Sequence, residues 1–152
     1  MIKDILLSDF TDERFQAAFR LYFVELGIHV QDWDSLWKEM NTDKNAENHA
    51  YVRLDERGEV IGFIQFCEVT LTSWFFEEKC GFIREFWIKE SLRGHGHGSA
   101  LLRLAEGWFR DKSISKCILT TDTAPDFYQS HGYCRDINVA ARNKDEVFTK
   151  HL

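Results

Sequence analysis

The sequence has only one proline, Pro125, among its 152 residues, and it contains no long uninterrupted apolar segment. We therefore expect neither a signal peptide nor a membrane-spanning segment. Positive charge is also scarce, because 19 Lys and Arg residues are outnumbered by 25 Asp and Glu residues, which gives a formal net charge of −6. Nonspecific binding to nucleic acid or to an anionic membrane depends on clustered positive charge. We expect neither kind of partner.

The four cysteines, Cys67, Cys80, Cys117 and Cys134, are too far apart in sequence to form a CxxC metal site. We expect them to be reduced core thiols in a cytoplasmic protein. The even count leaves a disulfide open, although a core of this size does not need one.

Apolar residues, in contrast, are abundant. Hydrophobic residues make up 44% of the chain, which includes 13 Phe and 5 Trp residues. A chain of this length buries roughly two-thirds of its unfolded surface when it folds as one unit. We therefore predict a single domain over residues 1–152 with one packed core.

Hydrophobic periodicity predicts strands and helices along the whole chain. Strands are expected over residues 2–7, 49–54, 60–69, 80–88 and 116–121, with at least one more within 138–150. Helices are expected over residues 12–26, 32–40, 99–111 and 125–130. Polar turns are expected over 41–48 and 55–58.

Three glycines, Gly94, Gly96 and Gly98, alternate between a predicted strand and a predicted helix. Glycine permits a tight turn that brings backbone N–H groups close to an anion, and a helix N-terminus adds positive potential. Arg93 adds a full positive charge. The segment therefore predicts a pyrophosphate-binding loop. A glycine-rich turn without a ligand is the alternative.

Two common phosphate-binding motifs do not fit this loop. A P-loop requires Gly-Lys followed by Ser or Thr, and the chain contains no Gly-Lys pair. The dinucleotide motif Gly-x-Gly-x-x-Gly would place its third glycine at Ser99, and the repeated strand and helix units of that fold are missing. The pattern that remains is Arg-x-x-Gly-x-Gly, formed by Arg93, Gly96 and Gly98.

This pattern, followed by Ser99-Ala100-Leu101-Leu102, resembles the coenzyme A signature of the GNAT superfamily of N-acetyltransferases. A second segment, Ala124-Pro125-Asp126-Phe127-Tyr128-Gln129-Ser130-His131-Gly132-Tyr133, is similar to the family's Ala-x-x-Phe-Tyr-x-x-x-Gly-Phe element. The order of predicted elements is similar to the family's along nearly the whole chain. The resemblance implies an α/β (α+β) fold of the acyl-CoA N-acyltransferase type, with a mixed, mostly antiparallel central sheet flanked by helices.

The resemblance also implies acetyl-CoA as co-substrate and a set of residues that bind it. The backbone of Phe86, Trp87 and Ile88 would pair with the pantetheine arm. The pyrophosphate would be held by the loop residues, which are Arg93, Gly94, His95, Gly96, His97, Gly98 and Ser99. Thr121 stands where the family often has Asn, so we expect one side-chain contact to the co-substrate to differ.

For catalysis, the resemblance implies Tyr128 as the acid that protonates the departing thiolate and Glu85 as the base that takes a proton from the amine. The alternatives are a packing role for Tyr128 and a surface role for Glu85. The rival carboxylates for the base are Glu68, Glu77, Glu78 and Asp122. Strand alternation places Glu85 on one face with Ile83 and Trp87, and Phe82, Arg84, Phe86 and Ile88 on the other, unless a bulge intervenes.

His95 and His97 alternate like a pair of metal ligands, but no Cys or carboxylate lies at a spacing that would complete the site. We expect no metal, and we attribute to these histidines partial positive charge toward phosphate. The other histidines, His29, His49, His131 and His151, are expected at the surface or at helix ends.

The resemblance thus implies an enzyme that moves the acetyl group of acetyl-CoA to a primary amine by direct transfer in a ternary complex. Acylation of a hydroxyl, use of another acyl-CoA, and a noncatalytic acyl-CoA-binding or regulatory module remain alternatives. The acceptor is a small-molecule amine or a protein or peptide amine. The family also implies a possible homodimer.

The acceptor site is the least determined part of the sequence. Residues 70–79 are compatible with a hairpin tip, a partner surface or one wall of that site. Trp33, Trp37, Trp74 and Phe75 are candidates for lining it, although helical spacing favours a core position for Trp33 and Trp37.

Overall fold

A computed structural model describes residues 1–43, 47–72 and 74–152 of the protein. The strands of this part of the chain are β1 (Lys3–Leu7), β2 (His49–Leu54), β3 (Val60–Thr72), β4 (Glu77–Ile88), β5 (Lys116–Thr121), β6 (Cys134–Arg135) and β7 (Glu146–His151). The helices are α1 (Glu13–Leu26), α2 (Trp33–Thr42), α3 (His97–Asp111) and α4 (Pro125–Ser130). A short 3-10 helix, Glu90–Leu92, follows β4. The predicted turn over 41–48 begins later than expected, because α2 includes residues 41 and 42. Residues 44–46 of that predicted turn lie outside the described part of the chain.

The strands form one sheet in the order β1-β2-β3-β4-β5-β7-β6. The β4 and β5 strands are parallel, whereas every other neighbouring pair is antiparallel. The prediction of a mixed, mostly antiparallel sheet flanked by helices is confirmed.

Helices cover both faces of the sheet and bury a core on each. On one face, Phe15 and Phe19 of α1 pack against Phe63 of β3, with ring centroids 5.2 and 5.6 Å apart. On the other face, Phe109 of α3 packs edge-on against Phe66 of β3, with centroids 5.4 Å apart. Such aromatic contacts add about 0.5–1.5 kcal/mol each to the apolar area they bury. They fix α1 and α3 on opposite sides of β3 and β4.

The length of α1 is set by a cap at each end. The side chain of Asp12 accepts hydrogen bonds from the backbone N–H groups of Arg14 and Phe15, which have no partner within the helix. Gly27 ends the helix with φ of 73°, a left-handed conformation that suits glycine. Hydrogen bonds of Tyr22 to Glu85 and of Trp87 to Glu25 place the last two turns of α1 beside β4.

A β-bulge interrupts β4. Gln65 of β3 pairs with Glu85, whereas the next residue, Phe66, pairs with Ile83, so Arg84 is the extra residue. Ile83 and Phe86 consequently pack into the same core cluster, although strict alternation would place them on opposite faces. The sequence analysis left open whether β4 contains a bulge, and the structure contains one.

The β4 strand pairs with β5 only at Gly81 and Phe82. Gly81 has a steric role at this point, because a Cβ atom there would lie 2.5 Å from the ring of Phe109. Because Gly81 has no side chain, α3 packs closely against β4 at this point. Beyond Phe82 the two parallel strands separate and leave a cleft between them.

Two expectations about individual side chains are corrected. All four cysteines are free, but only Cys67, Cys80 and Cys117 are buried, whereas Cys134 is exposed on the edge strand β6 and is not a core thiol. His49 is buried on β2 instead of lying at the surface, and its Nδ1 is 2.7 Å from the hydroxyl of Ser8. Burial lowers the pKa of His49.

Residues 70–79 form the tip of the β3–β4 hairpin, apart from residue 73, which is not among the described residues. Trp74 and Phe75 are 97% and 87% exposed. Trp37 is buried in the α1 and α2 core, where Trp33 stacks on it with centroids 5.2 Å apart. The preference for a core position is confirmed for Trp37, whereas Trp33 is partly buried against the same core.

In the described part of the chain, no helix combines the length and the apolar character that a membrane crossing requires.

Candidate active site

The cleft between the separated ends of β4 and β5 has a volume of about 1240 Å³. It is lined by the end of β4, the glycine loop, the first turn of α3, the α4 helix and the C-terminal part of α1. All residues that we predicted to bind the co-substrate or to act in catalysis, except His95, line this cleft.

The N–H groups of residues 94–99 have no backbone acceptor within the described part of the chain, and the loop that carries them borders the cleft. Gly94 and Gly96 have φ of 80° and 87°, in the left-handed region that glycine tolerates. A Cβ atom at either position would meet no other atom within 4 Å, so that side of the loop is open. Gly96 caps α3 without any side-chain hydrogen bond. The N–H groups of the first turn of α3 are therefore available to an anion.

Arg93 is anchored at the entrance of this loop. Its Nε donates to the carbonyl of Ile88 at 2.9 Å, and its Nη2 donates to Oε2 of Glu25 at 2.7 Å. The indole Nε1 of Trp87 donates to the same carboxylate oxygen at 3.1 Å. Glu25 of α1 thus contacts Arg93, the residue that we predicted to bind the pyrophosphate.

The two loop histidines have different environments. Nη1 of Arg53 donates to Nδ1 of His97 at 3.1 Å, and because a guanidinium can only donate, the neutral His97 ring carries its proton on Nε2. The ring of His95 instead turns onto the loop itself, with Nδ1 2.9 Å from the carbonyl of Arg93. Within residues 1–43, 47–72 and 74–152, no three His, Cys, Asp or Glu side chains are grouped as metal ligands would be.

Phe127 and Tyr128 of α4 both line the cleft. The Phe127 ring packs edge-on against Phe86 of β4, with centroids 5.8 Å apart, and it lies 3.5 Å from the position of a Cβ on Gly98. Tyr128 is 8% exposed, and its hydroxyl makes no hydrogen bond to any described residue. Burial, with a smaller contribution from the neighbouring Cys117 thiol, raises the pKa of Tyr128. The phenol therefore stays protonated at neutral pH.

Polar contacts hold both ends of α4. Nδ1 of His131 is 2.8 Å from the carbonyl of Phe127 and must donate to it, so Nε2 accepts from the Ser99 hydroxyl at 2.8 Å when the ring is neutral. The Thr121 hydroxyl accepts from the backbone N–H of Ala124 at 3.1 Å. Thr121 thus stabilises the turn that leads into α4.

Glu85 lies after the bulge of β4 and faces α1. The hydroxyl of Tyr22 donates a short hydrogen bond to its Oε2. Burial raises the pKa of Glu85, while the hydrogen bond from Tyr22 and the charge of Arg84 act in the opposite direction. Burial and the Glu85 carboxylate both raise the pKa of Tyr22. The Tyr22 phenol is therefore neutral at neutral pH, and its hydrogen bond favours the carboxylate form of Glu85.

The rival carboxylates lie mostly elsewhere. Glu68, Glu77 and Glu78 do not line the cleft, and Glu68 pairs with Lys79 at 3.7 Å on the hairpin. Asp122, immediately after β5, does line it. Among the rivals, only Asp122 shares the cleft with Glu85.

None of the four cysteines lines the cleft. Burial raises the pKa of Cys67 to about 11 and that of Cys117 to about 12. These thiols are therefore poor nucleophiles at neutral pH.

No sequence pattern identifies Tyr22 and Glu25 as residues of the site. Tyr22 belongs to the apolar stripe of α1, where its spacing predicts a core position, and Glu25 resembles an ordinary exposed helix residue. Their partners Glu85 and Arg93 are 63 and 68 residues away in sequence. Only the packing of α1 beside β4 brings them together.

Comparison with known proteins identifies a family model, described as "Acetyltransferase (GNAT) family", that matches residues 2–133. A comparison with curated protein sequences gave no match. A GNAT-family acetyltransferase structure from Staphylococcus aureus Mu50 is 15% identical with a TM-score of 0.73, and the alignment covers 100% of this chain and 99% of that one. A ribosomal-protein-alanine N-acetyltransferase from Brucella melitensis biovar Abortus 2308 is 18% identical with a TM-score of 0.73, covering 93% and 98% of the two chains. A chain of the NatC complex bound to Gag peptide and CoA is 16% identical with a TM-score of 0.71, covering 99% and 98%. At these identities the likeness shows the fold.

Proposed function

Because the chain belongs to the GNAT family of acetyltransferases, we propose that it transfers the acetyl group of acetyl-CoA to a primary amine in a ternary complex. The observation that carries the proposal is one cleft that combines three features. It contains the uncapped N-terminus of α3, the buried phenol of Tyr128 and the carboxylate of Glu85.

The residues of the cleft fit coenzyme A. The free N–H groups of the glycine loop and the first turn of α3 would hold the pyrophosphate, and Arg93 and His97 would add donors. The end of β4, from Phe86 to Ile88, lies beyond its last pairing with β5. Its backbone groups on that side would bind the pantetheine arm in the way one strand pairs with another. Acetyl-CoA supplies the activated acetyl group.

Glu85 and Tyr128 would then move the protons. Glu85 takes one proton from the ammonium group, directly or through water, so that the neutral amine nitrogen bonds to the carbonyl carbon. Tyr128 donates its proton to sulfur as the C–S bond breaks, and it regains a proton from the nitrogen that has become an amide. The products are an amide and the CoA thiol, and Glu85 releases its proton to water.

Direct transfer is supported by the position of the cysteines. A covalent acetyl-enzyme on sulfur would need a thiolate in the cleft, and no cysteine lines it. The raised pKa values of Cys67, Cys80 and Cys117 also disfavour a thiolate.

A cationic acceptor is supported by the charge on the cleft wall, where Glu25, Asp122 and Asp145 accompany Glu85. Solved structures of similar fold include the NatC complex with a peptide and an aminoglycoside acetyltransferase in complex with sisomicin. The acceptor of this protein is accordingly proposed to be a small-molecule amine or a protein or peptide amine.

The cellular location and the oligomeric state of the protein are also proposals. Four free thiols suit the reducing cytoplasm, which we propose as the location of the protein. The homodimer implied by the family remains a proposal, for which light scattering of the purified protein is the direct measurement.

Binding of the co-substrate is tested first, by thermal unfolding with and without acetyl-CoA. Ligand at a hundredfold excess over its dissociation constant should add about 2.7 kcal/mol to the free energy of unfolding. The stabilisation should be absent in the double variant Arg93→Ala, Gly96→Asp, which removes a donor and places a carboxylate in the loop. No stabilisation of the unmutated protein at millimolar acetyl-CoA would refute the proposal.

Turnover is tested by release of the CoA thiol with separate panels of amines and alcohols. Release with amines supports the proposed reaction, whereas release only with alcohols would make the protein an O-acyltransferase. Binding of acetyl-CoA without release on either panel would indicate a noncatalytic acyl-CoA-binding module.

A further inference from the structure

The hydrogen bond between Tyr22 and Glu85 connects α1 to the catalytic strand. It engages only Oε2 of the carboxylate. The other oxygen, Oε1, accepts no hydrogen bond from residues 1–43, 47–72 or 74–152. Because Glu85 lines the cleft, one side of the carboxylate is held by the protein and the other is left for a ligand or water.

Packing fixes the phenol that makes this contact. The Tyr22 ring lies edge-on to Phe63 of β3 with centroids 5.7 Å apart, and edge-on to Phe19 of α1 at 5.8 Å. Both phenylalanines are fully buried. The Tyr22 hydroxyl is therefore presented at a defined point beside β4, at little further cost in side-chain entropy.

The environment of Glu85 explains why such a contact is needed. Burial favours the neutral acid, which cannot accept a proton. On the neighbouring strand β3, the residue paired with Glu85 is Gln65, which is 1% exposed and whose amide oxygen and nitrogen both lack a partner in the described chain. Gln65 therefore makes no hydrogen bond that would stabilise the carboxylate. Tyr22 is the neutral donor that does so.

We propose that Tyr22 is a positioning residue for the reaction proposed above, on which this inference rests: its hydroxyl holds one oxygen of Glu85 as a carboxylate acceptor and leaves the other directed to the acceptor amine. Tyr22 itself does not transfer the proton. Its contribution is to keep the base ionised and in one orientation.

Other ionisable groups also surround Glu85. They line the cleft with it: Arg84 on β4, Glu25 on α1, Tyr128 on α4, and Asp122 and Asp145 after β5 and before β7. All of them are retained in a Tyr22→Phe variant. A difference in the titration of Glu85 between the variant and the unmutated protein therefore reports the effect of the phenolic hydroxyl.

The direct test is titration of the Glu85 carboxyl by NMR with carbon-13-labelled glutamate, assigned by the signal that disappears in Glu85→Gln. Hydrogen bonds to charged groups correspond to a shift of about one to two pH units. In Tyr22→Phe, the Glu85 midpoint should move to higher pH by that amount, because the variant loses a group that favours the carboxylate. This measurement needs no substrate.

The second test is the dependence of kcat/KM on pH with one amine that the unmutated protein accepts. The acidic limb, on which Glu85 must ionise, should move upward by the same one to two units. At pH values below both limbs the variant should be about ten- to a hundredfold slower, and above them the loss of rate should shrink to the part that reflects the lost orientation of Glu85. Tyr51→Phe, which removes a hydroxyl on β2 outside the cleft, should leave the limb unchanged.

An unchanged Glu85 midpoint in Tyr22→Phe would overturn the inference, and so would a loss of rate by the same factor at every pH. Acetyl-CoA stabilisation equal to that of the unmutated protein would show that the variant is folded. If the unmutated protein acetylates no amine, the proposed function fails, whereas the carboxyl titration still decides whether Tyr22 controls Glu85.

Discussion

Glu25 and Arg93 form an ion pair within the cleft, with 2.7 Å between Oε2 of the carboxylate and Nη2 of the guanidinium. The pair joins the last turn of α1 to the glycine loop. Both side chains are partly exposed, at 38% and 49%, so the pair can exchange with a ligand. A pyrophosphate bound at the loop would compete with Glu25 for Arg93 and would be repelled by its charge.

Glu25→Gln should therefore tighten the binding of CoA. Removing the carboxylate frees the Arg93 guanidinium and eliminates a like charge beside the pyrophosphate. For a partly exposed pair the gain should be about 1 kcal/mol, or roughly fivefold in Kd. Isothermal titration calorimetry at low and high salt measures it, and the gain should shrink as salt rises.

The matched control for this prediction is Glu90→Gln, which removes an exposed carboxylate near the loop that does not line the cleft. It should leave the Kd of CoA nearly unchanged. Weaker binding in Glu25→Gln would mean that Glu25 helps to shape the loop.

Tyr128→Phe should lower kcat by at least tenfold while the Kd of acetyl-CoA stays the same. The substitution keeps the buried ring and removes only the proton donor, and general acids contribute about 10² to 10⁴ in rate. Stopped-flow measurement of thiol release separates this step from binding. Tyr51→Phe provides the control for loss of a tyrosine hydroxyl, and equal rates in the two variants would exclude Tyr128 as the acid.

Lys150→Met should destabilise the protein by about 3 kcal/mol. Nζ of Lys150 is 2.9 Å from Oε2 of Glu106, which is only 2% exposed and which also accepts a hydrogen bond from the Tyr133 hydroxyl at 2.9 Å. Loss of the lysine leaves a buried carboxylate without a counter-charge. Urea unfolding at neutral pH gives the free energy, and adding Glu106→Gln should restore most of it. A change below about 1 kcal/mol would mean that water compensates the charge.

Labelling with a thiol reagent should modify Cys134 quickly and the other cysteines only after unfolding. Cys134 is exposed on β6, whereas Cys67, Cys80 and Cys117 are at most 1% exposed and burial raises the pKa of each. Mass spectrometry of the native protein should thus find one fast site. Cys134→Ser should abolish it without loss of acetyl-CoA binding.

Sequence patterns predicted the elements of the fold well, because each pattern reports a local preference. The alternation in β2 and the helical spacing of α1 follow from which face of each element is buried. The glycine loop was recognisable because positive φ at Gly94 and Gly96 restricts the residue type. The exposure of Cys134 was not recognisable, since a two-residue edge strand has no period to read.

What the sequence by itself determined is therefore the local chemistry: the strand, glycine loop and helix that form the proposed anion site, and the Phe127-Tyr128 pair on its short helix. What only the tertiary structure decided is which side chains from distant segments meet in the cleft. The bulge at Arg84 sets the direction of Glu85, and the packing of α1 brings Tyr22 to Glu85 and Glu25 to Arg93. Such contacts depend on strand register and on the position of a helix over the sheet, and both are fixed by the whole core.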